Sequence, residues 1–331
     1  MGSVRRPIFG RRGKSRNETV LAAHAERATS TRHRLSAAAG IDSLWRHRWP
    51  FVFVAPFFVL FAIFGIYPIF FSLWLSLHEW QGVGPMRFVG IEHYRFLMRD
   101  RIFWHSMLNT LILFFLYVPV MTFLAVVLAT ILNTGFLKLQ GLWRLLIFVP
   151  HITSMVAAGF TFRLIFDTHS GFANRALGWL GVSPVPWLDS VWWARITLAL
   201  LMIWAWLGYN TVIMLAGLQT IQPEISEAAK VDGANRVQVF SQITVPLLRP
   251  VIIFSVTLSI IGTFQMYTEP VILTQGGPIR ATETPVMQIF STTFSNLKFG
   301  YAAAMSYVYF VVIVFVTLLQ FRFVSREERA T

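Results

Sequence analysis

The chain has 331 residues, 55% of them apolar and 15% aromatic, and only 13% charged. A soluble domain carries about 25% charged residues, so a chain this apolar cannot clothe a water-facing surface, and lipid is the expected solvent for much of it. The lack of cysteine excludes disulfides and thiolate metal sites, and the formal charge of +13 is unevenly spread.

Residues 1–48 hold eleven Lys/Arg against Glu18, Glu26 and Asp42. Beside a membrane span, such a tail marks the cytoplasmic side and touches anionic lipid; nucleic acid is the weaker reading. The tail lacks apolar periodicity and is expected to be disordered or loosely helical. The first long apolar run begins near Pro50, behind this basic segment. It is too long for a signal's apolar core and has no small-residue cleavage site, so it reads as a retained span.

A membrane helix needs about 20 mostly apolar residues. Six segments qualify: 50–77 with Pro56 and Pro68, 107–132, 142–166 with Pro150 and His151 midway, 192–218, 251–273 and 302–323. Lipid offers no partner to backbone N–H and C=O groups, so the spans must be helices. The expected fold class is all-α, a polytopic bundle of six transmembrane helices. Its domains are a basic tail (1–48), a six-span body (49–323) with a cytoplasmic loop at 220–250, and a short tail (324–331). With the N-terminus inside, the inner segments and Arg144 carry nineteen of the 28 Lys/Arg and the outer loops seven, which places both termini in the cytoplasm.

The loop between the fourth and fifth spans is organised. Pro223 suits the first turn of a helix, and Glu224 and Glu227 favour that end through the helix dipole. Ile225, Ala228, Ala229 and Asp232 fall on one face, made flat by the two alanines. Gly233 permits a left-handed turn that ends the helix. Val237, Phe240 and Ile243 form a second short apolar stripe, and Pro246 and Pro250 are expected to break the chain before the fifth span. A short helix, a tight turn and a second short helix at the cytoplasmic surface follow.

The spacing Glu227-Ala228-Ala229, Gly233, Ile243 and Pro246 resembles the permease motif of bacterial ABC importers, with Val245 where Leu is commoner. From about Trp49 to Arg322 the chain resembles carbohydrate-uptake permeases of the maltose and glycerol-3-phosphate kind. Phe88-Val-Gly-Ile-Glu-His-Tyr94 with Asn109-Thr110, Phe166-Asp167 with Gly171, Asn174 and Trp187, Leu215–Ile221, Leu273–Pro278 and Gly300–Ala304 carry the likeness. The resemblance implies a type I importer permease in the bacterial inner membrane. It implies a homologous second permease, two cytosolic ATPase subunits that hold the ATP and Mg, and an extracytoplasmic solute-binding protein delivering a sugar-like solute. No cofactor or metal is expected on this chain. Glu227, Ala228, Ala229, Asp232, Gly233, Ile243 and Pro246 would couple it to an ATPase, Glu227 pairing with a basic group there.

Polar side chains within spans are costly unless they line a cavity or find a partner. Trp204, Gly208 and Thr211 share a helical face with Tyr209 and Asn210 beside it. Thr263 and Tyr267 share another, as do Gln265 and Glu269. These nine residues are the solute-path candidates, and helix glue is the competing reading for each. A secondary transporter would want inverted repeats and paired intramembrane charges, and neither is evident. A permease for a non-sugar solute remains the other alternative. An enzyme would want clustered His, Asp or Glu, whereas the eight His are scattered, and no phosphate-binding Gly-x-x-x-x-Gly-Lys-Ser/Thr loop occurs.

Overall fold

The computed structural model describes residues 48–134 and 138–327. The expectations for the basic tail and for residues 328–331 lie outside them. The chain divides into two units, Met1–Phe71 and Ser72–Thr331. In the first, α1 (Arg48–Phe61) passes through a π-helical turn (Ala62–Ile66) into α2 (Tyr67–Leu75). Pro68 has no N–H for the carbonyl four residues earlier, and the wider turn just before it makes room for the ring. Val52–Leu75 has a mean hydropathy of 2.4.

The second unit opens with a two-residue hairpin, β1 (His78–Glu79) against β2 (Arg87–Phe88), with His78 opposite Phe88. A short helix α3 (Glu92–Leu97) follows. The long helix α4 (Arg101–Asn133) starts at Asp100, whose carboxylate accepts the N–H groups of Ile102 and Phe103. Next come α5 (Gln140–Ile152), α6 (Met155–Ile165), α7 (Phe172–Trp179) and α8 (Val191–Leu218). The loop after α8 supplies α9 (Pro223–Val231) and α10 (Arg236–Val239), which runs through a π-helical turn (Phe240–Thr244) into α11 (Val245–Phe264). Two short helices follow, α12 (Thr268–Leu273) and α13 (Pro285–Phe290), and α14 (Phe299–Glu327) closes the unit.

Among the described residues, five helices are long and apolar enough to cross a membrane, or six if α5 and α6 count as one bent span. Three span expectations are corrected. The segment 142–166 is two helices meeting at 91°, because Pro150 and His151 end α5 and Thr153 leaves the helical region. The fifth span does not start after Pro250. Helix runs from Arg236 to Phe264, with Pro246 in the first turn of α11 and Pro250 tolerated inside it. The π-helical turn before Pro246 plays the same part as the one before Pro68. Nor does that span reach Leu273: it ends at Phe264, and Gln265–Tyr267 separate it from α12.

The core sits between α4, α8 and α11. Leu113, Tyr117 and Met121 of α4 pack on Leu198, Leu201 and Met202 of α8, while Ala125 and Ala129 meet Met214, Leu218 and Leu248 nearer the loop that carries α9 and α10. Small residues let backbones close up, since lipid drives helix association only weakly. At Gly208 an added Cβ would lie 1.9 Å from the Ile147 carbonyl oxygen of α5.

Candidate functional site

The elbow formed by α9 and α10 is built by capping. Pro223 occupies the first turn of α9. At the other end Gly233 takes φ +89°, the Ala234 N–H reaches the Ala229 carbonyl at 2.9 Å, and the Gly233 N–H reaches Lys230 at 3.1 Å. This is the paired closure that a left-handed residue after a helix permits. Asn235 then starts α10 with a reciprocal cap: its side chain accepts the Gln238 N–H at 2.9 Å, and Gln238 Oε1 accepts the Asn235 N–H at 2.8 Å. The sequence reading missed this cap, although Asn235-Arg-Val-Gln238 is its signature.

Glu227, Ala228 and Asp232 are exposed and Ala229 is half-buried. The apolar stripe read as Val237, Phe240 and Ile243 is corrected. Val237 is 73% exposed because it falls on the outer side of α10, and the buried side chain there is Val239. Val231, unremarked in the sequence, is 87% exposed beside Asp232. Glu227, Lys230 and Arg236 edge a cavity of about 840 Å³ between the elbow and the end of α4 at Thr130 and Asn133. Ile243 lies in the π-helical turn and Pro246 in the first turn of α11, so one helical rod joins the elbow to the fifth span.

The nine solute-path candidates are not brought together. Tyr209 and Asn210 line a cavity of about 60 Å³ with Tyr117, Met121, Met202, Trp206 and Ser259. That is about the space of two waters. Asn210 donates to the Trp206 carbonyl at 3.0 Å and accepts the Ser255 hydroxyl, tying α8 to α11. The Tyr209 ring stacks on His151, with centroids 4.8 Å apart, and the His151 ring also meets Trp206 at 4.9 Å. Trp206 Nε1 is buried without a hydrogen-bond partner in the protein.

Trp204 packs against Phe162, and Thr211 is buried with its hydroxyl on the Leu207 carbonyl. Gly208 faces α5 for close packing. Thr263 is fully buried and bonded to the Tyr117 hydroxyl. The shared faces expected for Thr263 with Tyr267 and Gln265 with Glu269 do not exist, because the helix stops at Phe264. Gln265 is exposed, Tyr267 stacks on Phe290 with centroids 5.0 Å apart, and Glu269 lies half-buried in the first turn of α12. Tyr117, Met121, Met202 and Trp206 were missed because apolar and aromatic residues in a span read as packing, and Ser259 because a hydroxyl bonded back to its own helix, here to the Ser255 carbonyl at 2.9 Å, leaves no spacing signal.

Comparison with known proteins agrees with this architecture. The model for the binding-protein-dependent transport system inner membrane component matches residues 35–329. The lactose transport system permease protein LacF of Rhizobium radiobacter is 38% identical over 283 residues, covering 84% of this chain and 94% of LacF. The arabinooligosaccharides transport system permease protein AraP of Bacillus subtilis is 34% identical over 302 residues, covering 89% and 96%. The sulfoquinovosyl glycerol transport system permease protein SmoG of Agrobacterium fabrum is 32% identical, covering 83% and 90%. Among solved structures, a chain of a bacterial ABC transporter involved in the import of the acidic polysaccharide alginate superposes with a TM-score of 0.75 at 22% identity, covering 86% of this chain and 98% of that one. A helical body with an ordered elbow between two spans and a match over residues 35–329 place this chain in the family of binding-protein-dependent transport system inner membrane components.

Proposed function

We propose that this chain is the membrane-spanning half of a sugar importer. It forms the translocation path for a sugar or related polar solute, of the oligosaccharide, glycoside or glycerol-phosphate type, together with a homologous second permease. Two cytosolic ATPase subunits bind beneath and hold the ATP and Mg, an extracytoplasmic binding protein delivers the solute, and both termini face the cytoplasm. The relatives that import lactose, arabino-oligosaccharides and sulfoquinovosyl glycerol support the solute class.

The observation that carries the coupling is the elbow. It is exposed, capped at both of its helices, and continuous with the fifth span from Arg236 to Phe264. A stiff element attached to a span can pass on the movement of a closing ATPase dimer. Glu227 presents its carboxylate to a basic group of the ATPase, and the exposed Val231 and Val237 supply apolar contact. In the path, Asn210, Ser259 and the free indole N–H of Trp206 offer hydrogen bonds to hydroxyls, and Tyr209 offers an aromatic face.

Co-expression with the neighbouring transport genes, followed by purification and an uptake assay in proteoliposomes, tests this. ATPase subunits should copurify with the chain, lactose or an arabino-oligosaccharide should be taken up with ATP, and Glu227→Ala should cut uptake at least tenfold while the spans still assemble. Absence of a copurifying ATPase, or full uptake by Glu227→Ala, overturns the reading.

A further inference from the structure

A second cavity, of about 270 Å³, opens on the outer side where the β1–β2 hairpin, α3 and the start of α14 meet. No solute-path candidate lines it. Trp80, Phe96 and Tyr301 form its walls, and each is held in place. The Phe96 ring meets Tyr301 edge-on at 5.2 Å, and the Tyr301 hydroxyl donates to Asp100 Oδ2 at 2.7 Å. The Trp80 indole donates to the Gly84 carbonyl at 3.3 Å and packs on Phe299 at 5.3 Å. Gly300 lies at its floor. A Cβ there would sit 1.9 Å from the His78 carbonyl oxygen, so the hairpin and α14 can meet only at a glycine.

The polar lining decides the ligand's charge. Glu79 and Arg87 form an ion pair at 2.7 Å and cancel. Glu92 and Lys298 cancel each other in count, and among the described residues neither has a side-chain partner. Two carboxylates against two cations leave the lining without net charge, and the His93 ring is engaged with the His78 carbonyl at 3.2 Å. Aromatic walls with unengaged charged groups at the rim suit a neutral molecule that has one apolar face and several hydroxyls. The volume is close to the lower bound of about 300 Å³ for ligand pockets, which fits one ring and not a chain. We infer that this outer cavity is a binding site for a single neutral saccharide unit, separate from the path between the spans, with a sugar ring on Trp80 and hydroxyls on Glu92 and Lys298. The inference rests on the sugar reading above.

The assembled permease–ATPase complex in lipid nanodiscs, without binding protein, tests it with lactose as the probe. Saturation-transfer NMR should show lactose contacts. Trp80→Ala should abolish the outer-site signal, and Glu92→Gln, an exposed change that cannot disturb the fold, should weaken binding about tenfold through loss of one charge-assisted hydrogen bond. Asn210→Leu should leave that signal in place. A lactose signal insensitive to both outer variants overturns the site, as does no signal from a complex that imports lactose. If the complex with its binding protein imports neither lactose nor an arabino-oligosaccharide, the sugar reading itself fails and takes the outer site with it.

Discussion

Arg195 and Asn109, on two different spans, are hydrogen-bonded to each other at 2.8 Å and together hold the loop between α12 and α13. Arg195 Nε donates to the Ala281 carbonyl at 3.0 Å, and its guanidinium lies 5.1 Å over the Trp192 ring. Asn109 Nδ2 donates to the Arg280 carbonyl at 2.7 Å and to that of Glu283 at 3.2 Å. Both side chains are buried, at 7% and 0% exposure. The loop they hold carries Ile279 and Arg280 in the left-handed region, at φ 48° and 60°. Such conformations persist only where surrounding contacts fix them.

Removing either partner should therefore loosen the loop between α12 and α13. Asn109→Leu leaves a buried guanidinium and two loop carbonyls short of partners, and Arg195→Met leaves the Asn109 oxygen and the Ala281 carbonyl unpaired. Each orphaned group costs about 1–3 kcal/mol. Thermal unfolding in detergent should show both variants destabilised. The double variant should lose less than the sum, because the two residues act through one network. Additive losses would mean that they act separately.

Close packing of α5 on α8 gives a second expectation. Gly208→Ala would place a methyl group 1.9 Å from the Ile147 backbone oxygen, which cannot move aside as a flexible side chain could. Overpacking of this kind costs about 1–3 kcal/mol or more. Gly262→Ala meets nothing within 4 Å and should melt like the parent, apart from any change in the small cavity it borders. Equal melting temperatures for the two variants would refute this packing.

Much of this was legible in the sequence, for reasons that differ by element. Spans were found because lipid demands long apolar helices, and the elbow because Pro223 and Gly233 each have few other uses at those positions. What failed was reading prolines as breaks. Pro246 and Pro250 sit within one helical rod because π-helical turns and lipid-buried helices absorb them. The fifth span's true end, at Phe264, carries no Pro or Gly stop signal nearer than Gly262, so helical faces were assigned to Tyr267 and Glu269 beyond it. The Arg195–Asn109 pair was invisible because a long-range polar contact leaves no spacing signal.

The elbow's stiffness can be separated from its contacts. Gly233→Ala puts a Cβ into a left-handed turn at φ +89°, a strain of about 1–2 kcal/mol. Asn235→Ala removes the reciprocal cap of α10, worth about 1 kcal/mol. Neither touches the Glu227 carboxylate. Both should speed amide exchange at 223–239 and lower solute-stimulated ATP hydrolysis several-fold, while ATPase copurification survives. Unchanged stimulation alongside faster exchange would show that stiffness is not needed for coupling.

Two loop carboxylates, Glu283 and Asp167, give the chain opposing pH dependences. Burial pushes the Glu283 carboxyl up, against the lowering effects of Arg280 at 3.7 Å, the Gln288 amide and His105. A carboxyl raised in the folded state adds stability that is complete below its unfolded value and is lost as pH rises through the raised value. Asp167 runs the other way. Its carboxylate accepts the Ser170 N–H at 2.7 Å, the Ser170 hydroxyl at 2.8 Å and the His169 N–H at 3.1 Å, which hold it below the ordinary carboxylate range. Its contribution is present above that range and is lost as pH falls through the depressed value. Melting temperature in detergent, followed from about pH 3 to pH 7, should therefore flatten at opposite ends. Glu283→Gln should remove part of the loss on the rising side and leave the acid limb as it was. Asp167→Asn should reduce the acid limb alone. If Glu283→Gln alters only the acid limb, the carboxyl is not raised by burial, and the loop around Arg280 and Glu283 must be open to water.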